Sequence, residues 1–103
     1  MDYRQNIEII KKTLLSDLEH SPVKKAILFG SHAKGTADSM SDIDLLVDSD
    51  GALKGLSFFG LLDKLTTSLG KKVDLIEMCE IEKGSPIYNT ILNEGVIIYD
   101  RTH

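Results

Sequence analysis

A chain of 103 residues with 42% apolar and 27% charged side chains has the size and balance of one globular domain, 1–103, able to bury about 60–65% of its unfolded surface. Its net charge of -4, from 12 basic and 16 acidic residues, disfavours a nucleic-acid polymer, which is held mainly by phosphate neutralisation. A mononucleotide stays within reach, because a bound metal can supply the positive charge. The lone Cys79 closes no internal disulfide and suits a reducing cytoplasm. The N-terminus has no secretory pattern, and no apolar run approaches the ~20 residues that span a bilayer.

Residues 3–19 read as an amphipathic helix, with Tyr3, Ile7, Ile10, Leu14 and Leu18 at spacings of three and four and Asp2 placed to cap it. Pro22 ends the pattern. KKAILFG (24–30) is a short apolar run stopped by glycine, which predicts a buried strand, and HAKGTADSMS (32–41) is loop or a single helical turn. DIDLLVD (42–48) predicts the second strand. Ser57 is placed to cap a helix that buries Phe58, Leu61, Leu62, Leu65 and Leu69 and stops at Gly70. KKVDLIEM (71–78) predicts a third strand, 85–93 a helix with Pro86 in its first turn, and VIIYD (96–100) a fourth strand. The loop 31–41 is shorter than the roughly dozen residues of a parallel crossover, so the first two strands should pair antiparallel. The expected fold is α/β (α+β): a four-stranded mixed sheet with helices mainly on one face.

Alternation along a strand puts Asp42 and Asp44 on one face, while Ile43, Leu45 and Val47 take the other. Two carboxylates about 7 Å apart on a rigid element repel unless a cation bridges them. Asp74, between the inward Val73 and Leu75, points to the same side. Three aspartates from two strands form a hard, oxygen-rich site of the kind Mg²⁺ prefers while it also keeps water and substrate phosphates. Gly30 and Ser31, at the end of the first strand, supply the second element. Glycine lets a phosphate approach the backbone, the Ser31 hydroxyl can donate to a phosphate oxygen, and Lys34 can add charge. Two rival motifs fail. Lys34 precedes Gly35, which Thr36 and Ala37 follow, so there is no P-loop. An EF-hand loop centred on Gly51 would begin at Leu46 and end at Ser57, neither of them a carboxylate.

FGSHAKGTADSMSDIDLLV (29–47), with VDLIE (73–77) behind it, resembles the minimal nucleotidyltransferases of the DNA polymerase beta superfamily. Their pattern is a Gly-Ser pair, a short loop, Asp-x-Asp, and a distal Asp on the next strand. The resemblance extends over nearly the whole chain, including the closing EGVIIYD. It implies that Asp42 and Asp44 hold two metal ions (Mg²⁺ or Mn²⁺), that Asp74 completes the site of the ion activating the acceptor, and that Gly30 and Ser31 position the phosphates of ATP. The family usually carries Arg where this chain has Lys34. A lysine keeps the charge without bidentate phosphate recognition.

Other polar residues are assigned to structure. His32 fills a position beside the phosphate loop, Glu77 is peripheral, and Asp38, Asp48 and Asp50 serve turns. Phe58 and Phe59 belong to the core, and Tyr88 to core or interface. Four strands and three helices leave little material to enclose an acceptor, so a partner should deliver it. The resemblance implies a HEPN-type ribonuclease toxin, neutralised by transfer of AMP to a tyrosine and able to form a hetero-oligomer with this chain. The alternatives are a small-molecule transferase of the aminoglycoside type and an antitoxin acting by binding alone.

Overall fold

The computed structural model describes residues 3–38 and 40–101, the side chains of residues 3–5 excepted. The expected cap Asp2 and the side chain of Tyr3 lie outside this set. Helix α1 (Tyr3–Glu19) leads into β1 (Lys25–Phe29), a single turn α2 (Ser31–Lys34) and β2 (Ile43–Asp48). Helix α3 (Leu56–Leu69), β3 (Val73–Glu77), a 3-10 turn (Met78–Glu80), α4 (Pro86–Glu94) and β4 (Val96–Asp100) follow. Each element expected from the residue pattern forms, with ends that match or shift by one or two residues.

The sheet order is β3-β2-β1-β4. β1 pairs antiparallel with β2 and with β4, and β2 pairs parallel with β3. The β1–β2 link is too short for a parallel crossover, whereas the β2–β3 link carries the full helix α3 and so allows a parallel pair. One face carries Ala26, Leu28, Ile43, Leu45, Val47 and Val73, packed under α1 and α3 through Ile10, Leu14, Leu18, Leu61 and Leu65. The opposite face is not bare. Ile91 of α4 packs on Ile27, Phe29 and Leu46, with Ile76, Met78 and Ile81 beside them. Among the described residues, no helix is long and apolar enough to cross a membrane.

Three local readings need correction. Gly55, not Ser57, is the N-cap of α3. The Ser57 hydroxyl instead closes the preceding turn, accepting from Lys54 N–H at 3.0 Å and donating to the Lys54 carbonyl at 2.8 Å. Phe59 is 63% exposed, because it follows Phe58 by one residue and so turns off the buried stripe. Glu77 is not peripheral. It is 3% exposed, with Oε2 accepting from the Ser49 hydroxyl at 2.6 Å and Oε1 from the Ser49 N–H at 3.3 Å. The Ser49 hydroxyl in turn accepts from Leu53 N–H at 3.0 Å. A buried carboxylate is tolerated when its lone pairs are used, and this one ties the end of β3 to the loop after β2.

The turn assignments hold. Asp38 Oδ1 accepts from Met40 N–H at 2.8 Å, and Asp48 Oδ1 from Asp50 N–H at 3.1 Å. Asp50 itself takes a left-handed φ of 52° and pairs with Lys24.

Candidate active site

The parallel register places Asp44 directly beside Asp74. Both point to the face opposite α1 and α3, because their neighbours Ile43 and Val73 are buried beneath those helices. The Asp44 carboxyl is pushed above the usual carboxylate range. Partial burial is the largest cause, followed by the Asp74 charge, hydrogen bonding with Asp74, and the Asp42 charge, with a smaller opposing effect from His32. Asp74 is exposed, so the pair opens to solvent.

Asp42 lies one residue ahead of β2, outside the ladder. Its Oδ2 is 3.9 Å from Lys72 Nζ, a neighbour that the sequence pattern did not suggest. Among the described residues no three His, Cys, Asp or Glu side chains are gathered into a ready-made ion cage. Asp44 and Asp74 interact directly, and Asp42 adds its charge to Asp44 while it faces Lys72. The donor set nonetheless fits a hard divalent cation: it is all oxygens, and the charges of Asp74 and Asp42 add to burial in raising Asp44.

Gly30 runs with a φ of 74° into α2, a left-handed conformation that glycine adopts without strain. It also lies against the pair, since a Cβ built at Gly30 would fall 2.2 Å from Asp44 Oδ2. The missing side chain is what lets strand end and carboxylate approach. One turn of helix follows, closed by Lys34 N–H donating to the Gly30 carbonyl at 3.1 Å and ended by left-handed Gly35. Ser31 and Lys34 are three residues apart on this turn, hence on one side of it. Lys34 Nζ is 3.2 Å from Glu94 Oε2, a contact absent from the sequence reading.

His32 is buried, with Nε2 facing the Ser41 carbonyl at 3.4 Å. It also borders a cavity of about 490 Å³ beside the loop that follows β1, between α1, the end of α3 and the start of β2. Its contacts tie the loop down. Tyr88 is half-buried on α4.

Comparison with known proteins supplies the family. Residues 8–103 match the family model described as polymerase beta, nucleotidyltransferase. The protein adenylyltransferase MntA of Thermococcus cleftensis is 35% identical over 80 residues, spanning 78% of this chain and 79% of that one. A crystal structure of a toxin–antitoxin with AMP-PNP superposes at a TM-score of 0.73 with 23% identity, over 89% of this chain and 74% of the other. A complex of a tri-AMPylated Shewanella oneidensis HEPN toxin with an MNT antitoxin gives 0.61 and 22%, over 95% and 72%. At those identities the two structures speak for the fold. The family follows from the matched sequence: this chain belongs to the polymerase beta nucleotidyltransferases.

Proposed function

We propose that this chain is a metal-dependent protein adenylyltransferase that moves AMP from ATP to a tyrosine hydroxyl of a HEPN-type toxin, acting as the antitoxin of the pair. The observation that carries the reading is the Asp44–Asp74 pair set against Gly30 and Ser31, in a chain of this family. The adenylyltransferase name of the Thermococcus relative and the AMPylated toxin in the Shewanella complex support the nucleotide and the acceptor class. The AMP-PNP complex supports ATP as donor.

Asp42, Asp44 and Asp74 would hold Mg²⁺ or Mn²⁺, which when bound lowers the acceptor's pKa and offsets the phosphate charge. The chain's own groups do the positioning. Gly30 brings the Asp44 carboxylate against the turn that would receive the triphosphate, the Ser31 hydroxyl donates to a phosphate oxygen, and Lys34 contributes a cation. The acceptor oxygen attacks the α-phosphorus and the bond to the β-phosphate oxygen breaks, so AMP is transferred and pyrophosphate leaves. Because Asp74 is exposed, the site is open on the acceptor side. A protein that presents its hydroxyl on a rigid element supplies the missing wall and the alignment that catalysis needs. A cytoplasmic setting goes with this chemistry, which draws on ATP.

Intact-mass spectrometry of the purified toxin after incubation with this chain, ATP and Mg²⁺ tests the reading. One or more AMP increments, mapped to tyrosine and absent with Asp44→Asn, are expected. An unmodified toxin held in a stable inhibited complex would replace it with an antitoxin that acts by binding, and modification of an aminoglycoside in place of the protein would make the chain a small-molecule transferase.

A further inference from the structure

The end of β1 and the phosphate turn are bracketed by two carboxylates. Asp44 stands on one flank, paired with Phe29 in the β1–β2 ladder. On the other flank, Leu28 pairs with Val96. Because that ladder is antiparallel, the chain entering β4 (Glu94 and Gly95) runs alongside the chain leaving β1. Gly95 makes the approach close: a Cβ there would meet Ile27 Cγ2 and the Ile91 carbonyl oxygen, each at 2.5 Å. This packing sets the end of α4 beside the phosphate turn and brings Glu94 Oε2 to 3.2 Å from Lys34 Nζ.

We infer that Glu94 is a positioning residue that neutralises Lys34 in the nucleotide-free protein and yields it to the incoming triphosphate, thereby setting nucleotide affinity and not the rate of transfer. The inference rests on the reading of Lys34 as a phosphate-binding cation. Lys34 and Glu94 side chains are 50% and 43% exposed, and a pair so exposed adds little to the fold. Lys34 can therefore change partners at small cost, and a polyphosphate outbids a single carboxylate for it. The Gly95 packing keeps the Glu94 backbone beside the turn, so its carboxylate opposes the arriving phosphates and recaptures Lys34 when pyrophosphate departs. Pre-ordering of Lys34 by Glu94 works the other way but is the smaller effect, because a half-exposed side chain keeps much of its freedom.

The test is calorimetric titration of the full chain with an ATP analogue uncleavable at the α,β bond, with Mg²⁺, at low ionic strength where screening is weak. Glu94→Gln should tighten binding about 2–5-fold, the range that an exposed ion pair can supply. In a Lys34→Met background the same substitution should change nothing. With ATP and acceptor, Glu94→Gln should lower KM for ATP while kcat stays level. Weaker binding by Glu94→Gln would overturn the inference in favour of simple ordering of Lys34. Equal tightening in both backgrounds would overturn it too, since Glu94 would then act as bulk charge. If Lys34→Met binds the analogue as wild type does, it is the phosphate role of Lys34 that fails.

Discussion

The Asp44 carboxylate rests directly against the Cα of Gly30, at a distance that leaves no room for a methyl group: a Cβ there would sit 2.2 Å from Asp44 Oδ2. Gly30 also holds a φ of 74°, so strain and clash add. Gly30→Ala should cost about 1–3 kcal/mol through the backbone alone and must also push Asp44 off its register with Asp74. The expected outcome is a folded but less stable protein with little transfer activity. Thermal melts read alongside the AMP-transfer assay check it, and a Gly30→Ala protein with wild-type activity would detach Gly30 from the site.

A second prediction follows from the upward displacement of the Asp44 pKa by burial and by Asp74. Such a group favours its protonated form in the folded state. Its stabilising contribution is thus fully present below the ordinary aspartate pKa and is lost as pH rises through the raised folded value. At neutral pH and without metal, the ionised Asp44 is a liability. Asp44→Asn should melt at or above wild type near pH 7, and the gap should close as pH falls into the carboxylate range. A mutant that melts well below wild type at pH 7 would make Asp44 a structural residue.

Much of this was legible in the sequence for a physical reason. Period-two alternation in DIDLLVD and VDLIE fixed the face of Asp44 and Asp74, and the short 31–41 loop forced an antiparallel first pair. What stayed hidden depends on side chains that meet across the fold. The Glu77–Ser49 bond joins residues 28 apart, and a glutamate with buried parity looks like an edge residue until its partner is known. Asp42 sits one step outside the ladder, beside Lys72, which alternation alone does not reveal. Phe59 was misplaced because adjacent aromatics on a helix cannot both face the core.

The Glu77–Ser49 pair makes a prediction that separates fold from function. Glu77→Ala removes the acceptor for the Ser49 hydroxyl and N–H, both buried. Losing hydrogen bonds to a charged group should destabilise by about 2–3 kcal/mol, a fall in melting temperature of roughly 8–24 °C. Glu77→Gln keeps one oxygen acceptor and should lose less. Glu77 lies about 10 Å along β3 from Asp74, so transfer per folded molecule should be unchanged well below the melt. Loss of activity without loss of stability would contradict this assignment.

Nucleotide and metal should stabilise the protein through the same carboxylates. A ligand that binds only the native state adds about 2.7 kcal/mol at a hundredfold excess over its Kd. Millimolar Mg²⁺ or Mn²⁺ with ATP should therefore raise the melting temperature of wild type, and Asp44→Asn should lose most of that gain. A wild type indifferent to both ligands would leave the acidic pair without its proposed occupant.

Activity should fall in steps that follow what each residue contributes. Asp42→Ala and Asp44→Asn each remove a proposed metal ligand and should abolish transfer. Asp42 is the sharper test of the two, because here it faces Lys72 and must turn toward the pair to take part. Ser31→Ala removes one hydroxyl donor and should slow transfer by roughly 10²–10³, if that contact strengthens in the transition state. Lys34→Arg keeps the charge and adds a fork that suits phosphate, so it should be tolerated or improve turnover, although the same fork can also grip Glu94. Rates with radiolabelled ATP and the toxin acceptor order the series. Asp42→Ala matching wild type would end the three-aspartate site, and an inactive Lys34→Arg would show that position 34 needs the reach of a lysine and not merely its charge.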